Sequence, residues 1–248
     1  MLAAMQESRR VALVTGGAKR VGRAVVGRLA ASGFDVAFTY QHSDGAAQDL
    51  ERSLRDGGAG ALAMQADLTH PTDAAAAIFA AIDQRWGRLD VLVNNASLYE
   101  LSPLQSTRPD QLRRLMAIHV EAPLLLAQRF EAHLRRGRGH IVNMLDLLAE
   151  RPWPQYLGYC TSKAALWNLT LGLARELAPE VTVNGIAPGV VEWPADYPAE
   201  ERERYLKRVP LARSGEPADV AELVHFLVTG GSYITGQIIR LDGGRSIT

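Results

Sequence analysis

Tyr159 and Lys163 stand four residues apart in the stretch NMLDLLAERPWPQYLGYCTSK, residues 143–163. That spacing puts both side chains on one face of a helix. Asp146 lies thirteen residues before Tyr159, at the end of an apolar run that reads as a strand. A phenol, an ammonium and a carboxyl group brought together are equipped to move protons. The plainer reading of Asp146 is a strand-end carboxylate that caps a turn.

A second group of residues suits an anion. The segment TGGAKRVG (15–22) joins the apolar run VALV (11–14) to a helical pattern. Glycines let a backbone approach a phosphate, and a helix N-terminus favours negative charge. Such a turn also occurs without a ligand, so by itself it leaves binding open. Arg20 sharpens the case, because a large cation in a tight loop suits a nearby anion. Sheets that bind NAD usually place Asp or Glu after the second strand, to hold the ribose 2′-hydroxyl. Here that stretch is Thr39-Tyr40-Gln41-His42-Ser43, with donors and no carboxylate. With Lys19 and Arg20 close by, a 2′-phosphate is favoured, hence NADP over NAD. Lys19 also reads as a solvated helix-start lysine, and His42 as an ordinary surface histidine. Asp67 and Asn94-Asn95-Ala96 follow the third and fourth apolar runs, where ligands of open α/β sheets sit. Asp67 equally suits a helix cap.

These groups need a frame, and the pattern supplies one. Strands are expected at 11–14, 34–40, 59–65, 89–93, 140–145, 181–188 and 237–244. Helices are expected at 19–32, 44–56, 71–86, 156–178 and 217–229, with two helical pieces between 109 and 136. Gly33 and Gly87 read as helix stops. Apolar strands alternating with helices imply a parallel sheet covered on both faces. The economical reading is α/β: a single Rossmann-type doubly wound domain over 1–248, with about seven strands. Residues 189–216 hold Trp193, Pro194, Pro198 and the charged run ERERYLKR, which suits a mobile lid better than a core element.

Bulk composition excludes several classes. The 248 residues carry 27 basic and 27 acidic side chains, so nothing suggests a nucleic-acid or membrane surface. One cysteine, Cys160, rules out an internal disulfide and a thiolate zinc site, and the histidines are scattered, so no metal is expected. The first ten residues lack a signal peptide's apolar core, and no run is long enough to span a bilayer. A soluble cytoplasmic protein is the expectation.

Taken together, the chain resembles the short-chain dehydrogenase/reductase family. The matching pieces are TGGAKRVG (15–22), Asp67, NNAS (94–97), Tyr159-x-x-x-Lys163, NGIAPG (184–189) and LDGG (241–244), in the family's order. The resemblance implies a nicotinamide dinucleotide, hydride transfer and a homotetramer. It implies that Tyr159 is the proton donor. Lys163 would hold the nicotinamide ribose and lower the pKa of a phenol that ordinarily titrates near ~10. Cofactor contacts carried over are Gly16, Lys19, Arg20 and Val21 in the glycine loop. Tyr40, His42 and Ser43 follow the second strand, and Asp67 and Leu68 the third. Asn95, Ala96, Ser97, Lys163, Pro188 and Gly189 complete the set.

Three positions depart from the family's pattern. The middle glycine of TGxxxGxG is Arg20, the usual catalytic Ser is Asp146, and the usual helix Asn is His119. The first two departures resemble pteridine reductases, and IHV (118–120), LAPEV (177–181) and LDGGR (241–245) resemble the bacterial dihydromonapterin reductases. A Ser donates to the oxyanion of a ketone reduction, whereas a carboxylate would repel it. Reduction of C=N needs a proton at nitrogen, which a carboxyl group can pass on or favour. A pterin ring offers such bonds.

The expected activity is therefore NADPH-dependent reduction of a dihydropterin (dihydromonapterin or dihydrobiopterin), with dihydrofolate as a further candidate. Substrate contacts are expected from Arg20, Ser97, Tyr99, Asp146, Tyr159 and Trp193. Tyr99 would stack on the pterin, or pack as loop aromatics commonly do. Trp193 would close over the substrate from the lid. Two alternatives stand beside this: a carbonyl reductase acting on a 3-oxoacyl thioester, and a dinucleotide-binding sensor without turnover.

Overall fold

Along each central strand the side chains alternate between two apolar layers. In β1 (Val11–Val14), Ala12 and Val14 join one layer while Val11 and Leu13 join the other. β2 (Asp35–Tyr40) repeats the pattern with Val36 and Phe38 against Ala37. β3 is Ala61–Gln65, and β4 (Val91–Asn94) splits Val91 and Val93 from Leu92. β5 is His140–Met144, β6 Thr182–Pro188 and β7 Ile238–Leu241. A strand apolar on both faces must be covered on both.

The molecule, a computed structural model, describes residues 9–193 and 197–248. The seven strands form one all-parallel sheet in the order β3-β2-β1-β4-β5-β6-β7. Its helices are α1 (Arg20–Ala31), α2 (Asp44–Asp56), α3 (Pro71–Trp86), α4 (Pro109–Met116), α5 (Ala122–Gly137), α6 (Leu157–Glu176), α7 (Ala199–Leu206) and α8 (Pro217–Thr229). Val25 and Leu29 of α1, Leu50 of α2 and Val224 of α8 fill one layer. Ile78 and Ile82 of α3, Leu126 and Phe130 of α5 and Leu173 of α6 fill the other. The expected doubly wound α/β fold is the one observed. Strand order reverses at β1, between β2 and β4, and the crevice beyond that point is the natural ligand site of such a sheet.

Several element ends follow directly from local chemistry. α3 starts on Pro71, whose missing N–H costs nothing in the first turn, and stops at Gly87 in the left-handed conformation. The two helical pieces expected between 109 and 136 are joined by a π-helical turn, Ala117–Glu121. Pro123 has no N–H for the carbonyl of His119 four residues back, so the α pattern cannot run through. The Ala122 amide instead reaches the Ala117 carbonyl. π-turns inside helices are frequent at functional sites.

The segment 189–216 is not without structure, since it carries α7, although no residue of that helix is buried. The readings of residues 1–8 as lacking a leader and of Pro194 as part of a lid lie outside the described residues. No helix among the described residues is long and apolar enough to cross a membrane.

Candidate active site

β5 and α6 deliver the three groups first singled out. Asp146 follows β5 and caps a single 3-10 turn, its Oδ1 accepting from the Leu148 amide at 2.8 Å. Its other oxygen, Oδ2, accepts from the Tyr159 hydroxyl at 2.8 Å. Asp146 thus caps a turn with one oxygen and meets the Tyr159 hydroxyl with the other. Tyr159 and Lys163 lie one turn apart on α6, 5% and 2% exposed. The Lys163 ammonium donates to the Met144 carbonyl at 2.7 Å, which leaves two of its N–H donors uncommitted to that bond.

Burial dominates the electrostatics here. It raises the Asp146 pKa, against the bonds from Leu148 and Tyr159 and the Lys163 charge. It also lowers Lys163 to about 8, with Asp146 opposing. Tyr159 is pushed well above its ordinary value by burial and then by Asp146. The net shift is thus opposite in direction to the lowering expected from Lys163. In this arrangement the carboxylate, not the ammonium, is the hydrogen-bonded neighbour of the phenol, and Lys163 Nζ stands 5.8 Å from the ring centroid.

His119 sits on the π-turn and is 1% exposed. Its Nδ1 lies 2.8 Å from Ser162 Oγ, and its Nε2 lies 2.8 Å from Ser97 Oγ. The ring meets Tyr159 edge-on at 5.6 Å. Burial, and then the Lys163 charge, hold its pKa well below the ordinary histidine value.

The carboxyl ends of β1 to β4 enclose a cleft of about 400 Å³. Of the residues expected to touch a dinucleotide, Gly16, Lys19, Arg20, Val21, Tyr40, Asp67, Leu68, Asn95, Ala96 and Ser97 line it. His42, Ser43, Lys163, Pro188 and Gly189 do not. His42 is exposed and Ser43 is the N-cap of α2. Pro188 ends β6, and the amide of Gly189 just after it donates to Leu241 O at 3.0 Å. Asp67 lines the cleft and also turns the chain, accepting from the Thr69 amide and hydroxyl at 2.9 and 2.7 Å. Asn95 holds the glycine loop to β4, its Nδ2 donating to the carbonyls of Thr15 and Gly16 at 2.9 and 3.1 Å. Gly16 has φ +65, and a Cβ there would meet Ala96 Cα at 3.0 Å. Among the described residues no side chain caps the N-terminus of α1, so its first amides lack that partner.

The expected substrate contacts are partly engaged with one another. Arg20 bonds Glu192 through its Nε at 2.8 Å, and both side chains are solvent-facing. Tyr99 stacks on Tyr156 at 4.6 Å and meets Tyr159 edge-on at 4.8 Å. Trp193 packs on Tyr197 and Tyr205, with Arg202 over its ring at 5.4 Å. Two of these three partners, Arg202 and Tyr205, lie on α7.

Sequence reasoning read Thr39 and Gln41 only as part of the donor stretch after the second strand, and missed Ala66, Leu98 and Ile118 in the cleft and Ser162, Tyr156 and Glu192 as partners. Only Ser162 carried a signal, three residues after Tyr159 on the same helix face. Glu192 and Tyr156 reach their partners through tertiary contact alone.

A family model described as enoyl-(acyl carrier protein) reductase matches residues 16–246. The chain is 33% identical to pteridine reductase 1 of Leishmania tarentolae, covering 96% of each protein. It is also 33% identical to a 3-oxoacyl-(acyl-carrier-protein) reductase of Staphylococcus aureus, covering 94% of this chain and 96% of that one. A blue fluorescent protein from a metagenomic library, solved in complex with NADPH, superposes with a TM-score of 0.89 at 36% identity, covering 95% and 97%.

Proposed function

From the premise that this chain belongs to the short-chain dehydrogenase/reductase family, we propose that it is an NADPH-dependent pteridine reductase. Its substrate is a dihydropterin, dihydromonapterin, dihydrobiopterin or dihydrofolate, taken to the tetrahydro form. The observation that carries this reading is the 2.8 Å bond between the Tyr159 hydroxyl and the Asp146 carboxyl. A carboxylate beside the proton donor is adverse to an oxyanion and useful at a C=N bond.

The residues present fit a phosphorylated dinucleotide. The α1 amides and the bare backbone at Gly16 suit a pyrophosphate, and Lys19 and Arg20 suit a 2′-phosphate. When bound, NADPH supplies a hydride to carbon. The chain's own residues manage the proton that nitrogen must receive. Tyr159 would give its hydroxyl proton to nitrogen, and Asp146, whose pKa burial raises, would then pass its own proton to the phenolate and be left as the carboxylate. Lys163 holds a ribose hydroxyl with the donors its bond to Met144 leaves over. Tyr99 offers an aromatic face to the pterin beside Tyr159. Residues 1–248 act as one reductase domain, with 189–216 as its lid, in a cytoplasmic homotetramer.

The deciding experiment is NADPH consumption with dihydromonapterin, dihydrobiopterin and dihydrofolate, beside an acetoacetyl thioester. Turnover of a dihydropterin is the expected result. Turnover of the thioester alone would make the chain a carbonyl reductase. NADPH binding with no consumption would make it a sensor. Elution of the intact protein as a tetramer in light scattering is the matching test of assembly.

A further inference from the structure

His119 is a buried imidazole with both nitrogens engaged, and its neighbours leave one arrangement of hydrogens. Ser162 Oγ lies 2.8 Å from the Tyr159 carbonyl oxygen, and only the hydroxyl has a hydrogen to give. Ser162 therefore donates there. Its oxygen accepts from His119 Nδ1 at 2.8 Å, which puts the ring hydrogen on Nδ1. Nε2 keeps its lone pair. That lone pair faces two donors, the Ser97 hydroxyl at 2.8 Å and the Leu98 amide at 3.4 Å.

The other tautomer is worse at both ends. It would turn the Ser162 hydrogen towards Nδ1, leaving two oxygen acceptors face to face at Ser162 and Tyr159. It would also point an imidazole N–H at the Leu98 N–H. A buried group left in such a mismatch costs about 1–3 kcal/mol. A doubly protonated ring meets the same Leu98 conflict, and burial with the nearby Lys163 charge opposes it.

We propose that His119 is a positioning residue: it commits the Ser97 hydrogen to itself, so that Ser97 faces the cleft as an acceptor and selects a ligand with an N–H donor there. Ser97 lines the cleft next to Ala96 and Leu98 and is exposed to it. A ligand carbonyl or ether oxygen at that point would meet an oxygen lone pair and be rejected. Two ligand groups carry the required amine or amide N–H, the amino–lactam edge of a pterin and the carboxamide of nicotinamide. The choice of these two rests on the pteridine reductase reading; the polarity of Ser97 does not.

Two measurements on the full chain test this. Long-range ¹⁵N–¹H NMR reads the His119 tautomer directly. Its signal is assigned by its absence in His119→Gln, or by its contact with the Tyr159 ring should that variant not fold. A neutral ring with hydrogen on Nδ1 is expected; hydrogen on Nε2, or on both, overturns the proposal.

The second measurement compares wild type with Ser97→Ala. The substrate arm uses a dihydropterin against its 2-desamino and N3-methyl analogues, and the cofactor arm uses the NADPH dissociation constant. If the donor is the pterin's, wild type disfavours at least one analogue by roughly tenfold in kcat/KM and Ser97→Ala erases that preference. If the donor is the carboxamide, Ser97→Ala weakens NADPH binding by a similar factor and the analogue preference is the same in both proteins. No change in either arm overturns the proposal. An Nδ1–H tautomer with no dihydropterin turnover by wild type would sink the pteridine reading and leave the His119 inference to the cofactor arm.

Discussion

The Tyr159 hydroxyl donates to Asp146 Oδ2 across 2.8 Å, the phenol buried and the aspartate half-buried. One hydrogen bond thus joins a phenol and a carboxyl group 13 residues apart in sequence.

Replacing Asp146→Ser is expected to lower dihydropterin turnover by ~100-fold or more, the usual contribution of a placed acid–base group. Turnover of an acetoacetyl thioester should rise, since a hydroxyl can donate to an oxyanion. Parallel rate measurements with the two substrates check this, and an unchanged ratio between them would count against the imine reading.

Lys163 titrates at about 8 in the folded chain against an ordinary 10.5. Between those values the folded state binds fewer protons than the unfolded state, so the Lys163 contribution makes the protein more stable as pH rises. Lys163→Met is expected to remove that rise. Unfolding free energies of the two proteins across that window test it. In the same window kcat/KM of the wild type should fall, as the ammonium that holds the ribose is lost.

Gly16→Ala would strain a backbone at φ +65 and drive a methyl group against Ala96 Cα at 3.0 Å. A stability loss of about 1–3 kcal/mol is expected. NADPH affinity should fall as well, because the loop can no longer approach a phosphate. Denaturant unfolding and a fluorescence titration with NADPH measure the two effects.

Arg20 and Glu192 form a solvent-facing ion pair, 61% and 39% exposed. Such pairs contribute about 0–1 kcal/mol, so Arg20→Gln should hardly move the melting temperature. Its effect should appear as weaker NADPH binding, with NADH binding changed less. Equal weakening of both cofactors would show that Arg20 does not read the 2′-phosphate.

Much of this protein could be read from the order of its residues. Strand apolarity and helix periodicity are local properties, so β1, α2, α3 and α8 fall where their patterns put them. Tyr159 and Lys163 share a face because a helix has a fixed pitch. The glycine loop and the strand ends line a common cleft because a parallel sheet delivers its carboxyl ends to one side. Other features depend on distances across the fold. That Asp146 meets the phenol while Lys163 turns to Met144 follows from how the 3-10 turn after β5 sits against α6. The direction of the Tyr159 pKa follows from that packing, since burial and the nearest charge set it. His119 stood out in the sequence only as a departure from the family's Asn, with no role attached. Its role comes from a π-turn that carries one imidazole between Ser97 and Ser162, 22 and 43 residues away along the chain. Only the closed tertiary structure brings those hydroxyls to it.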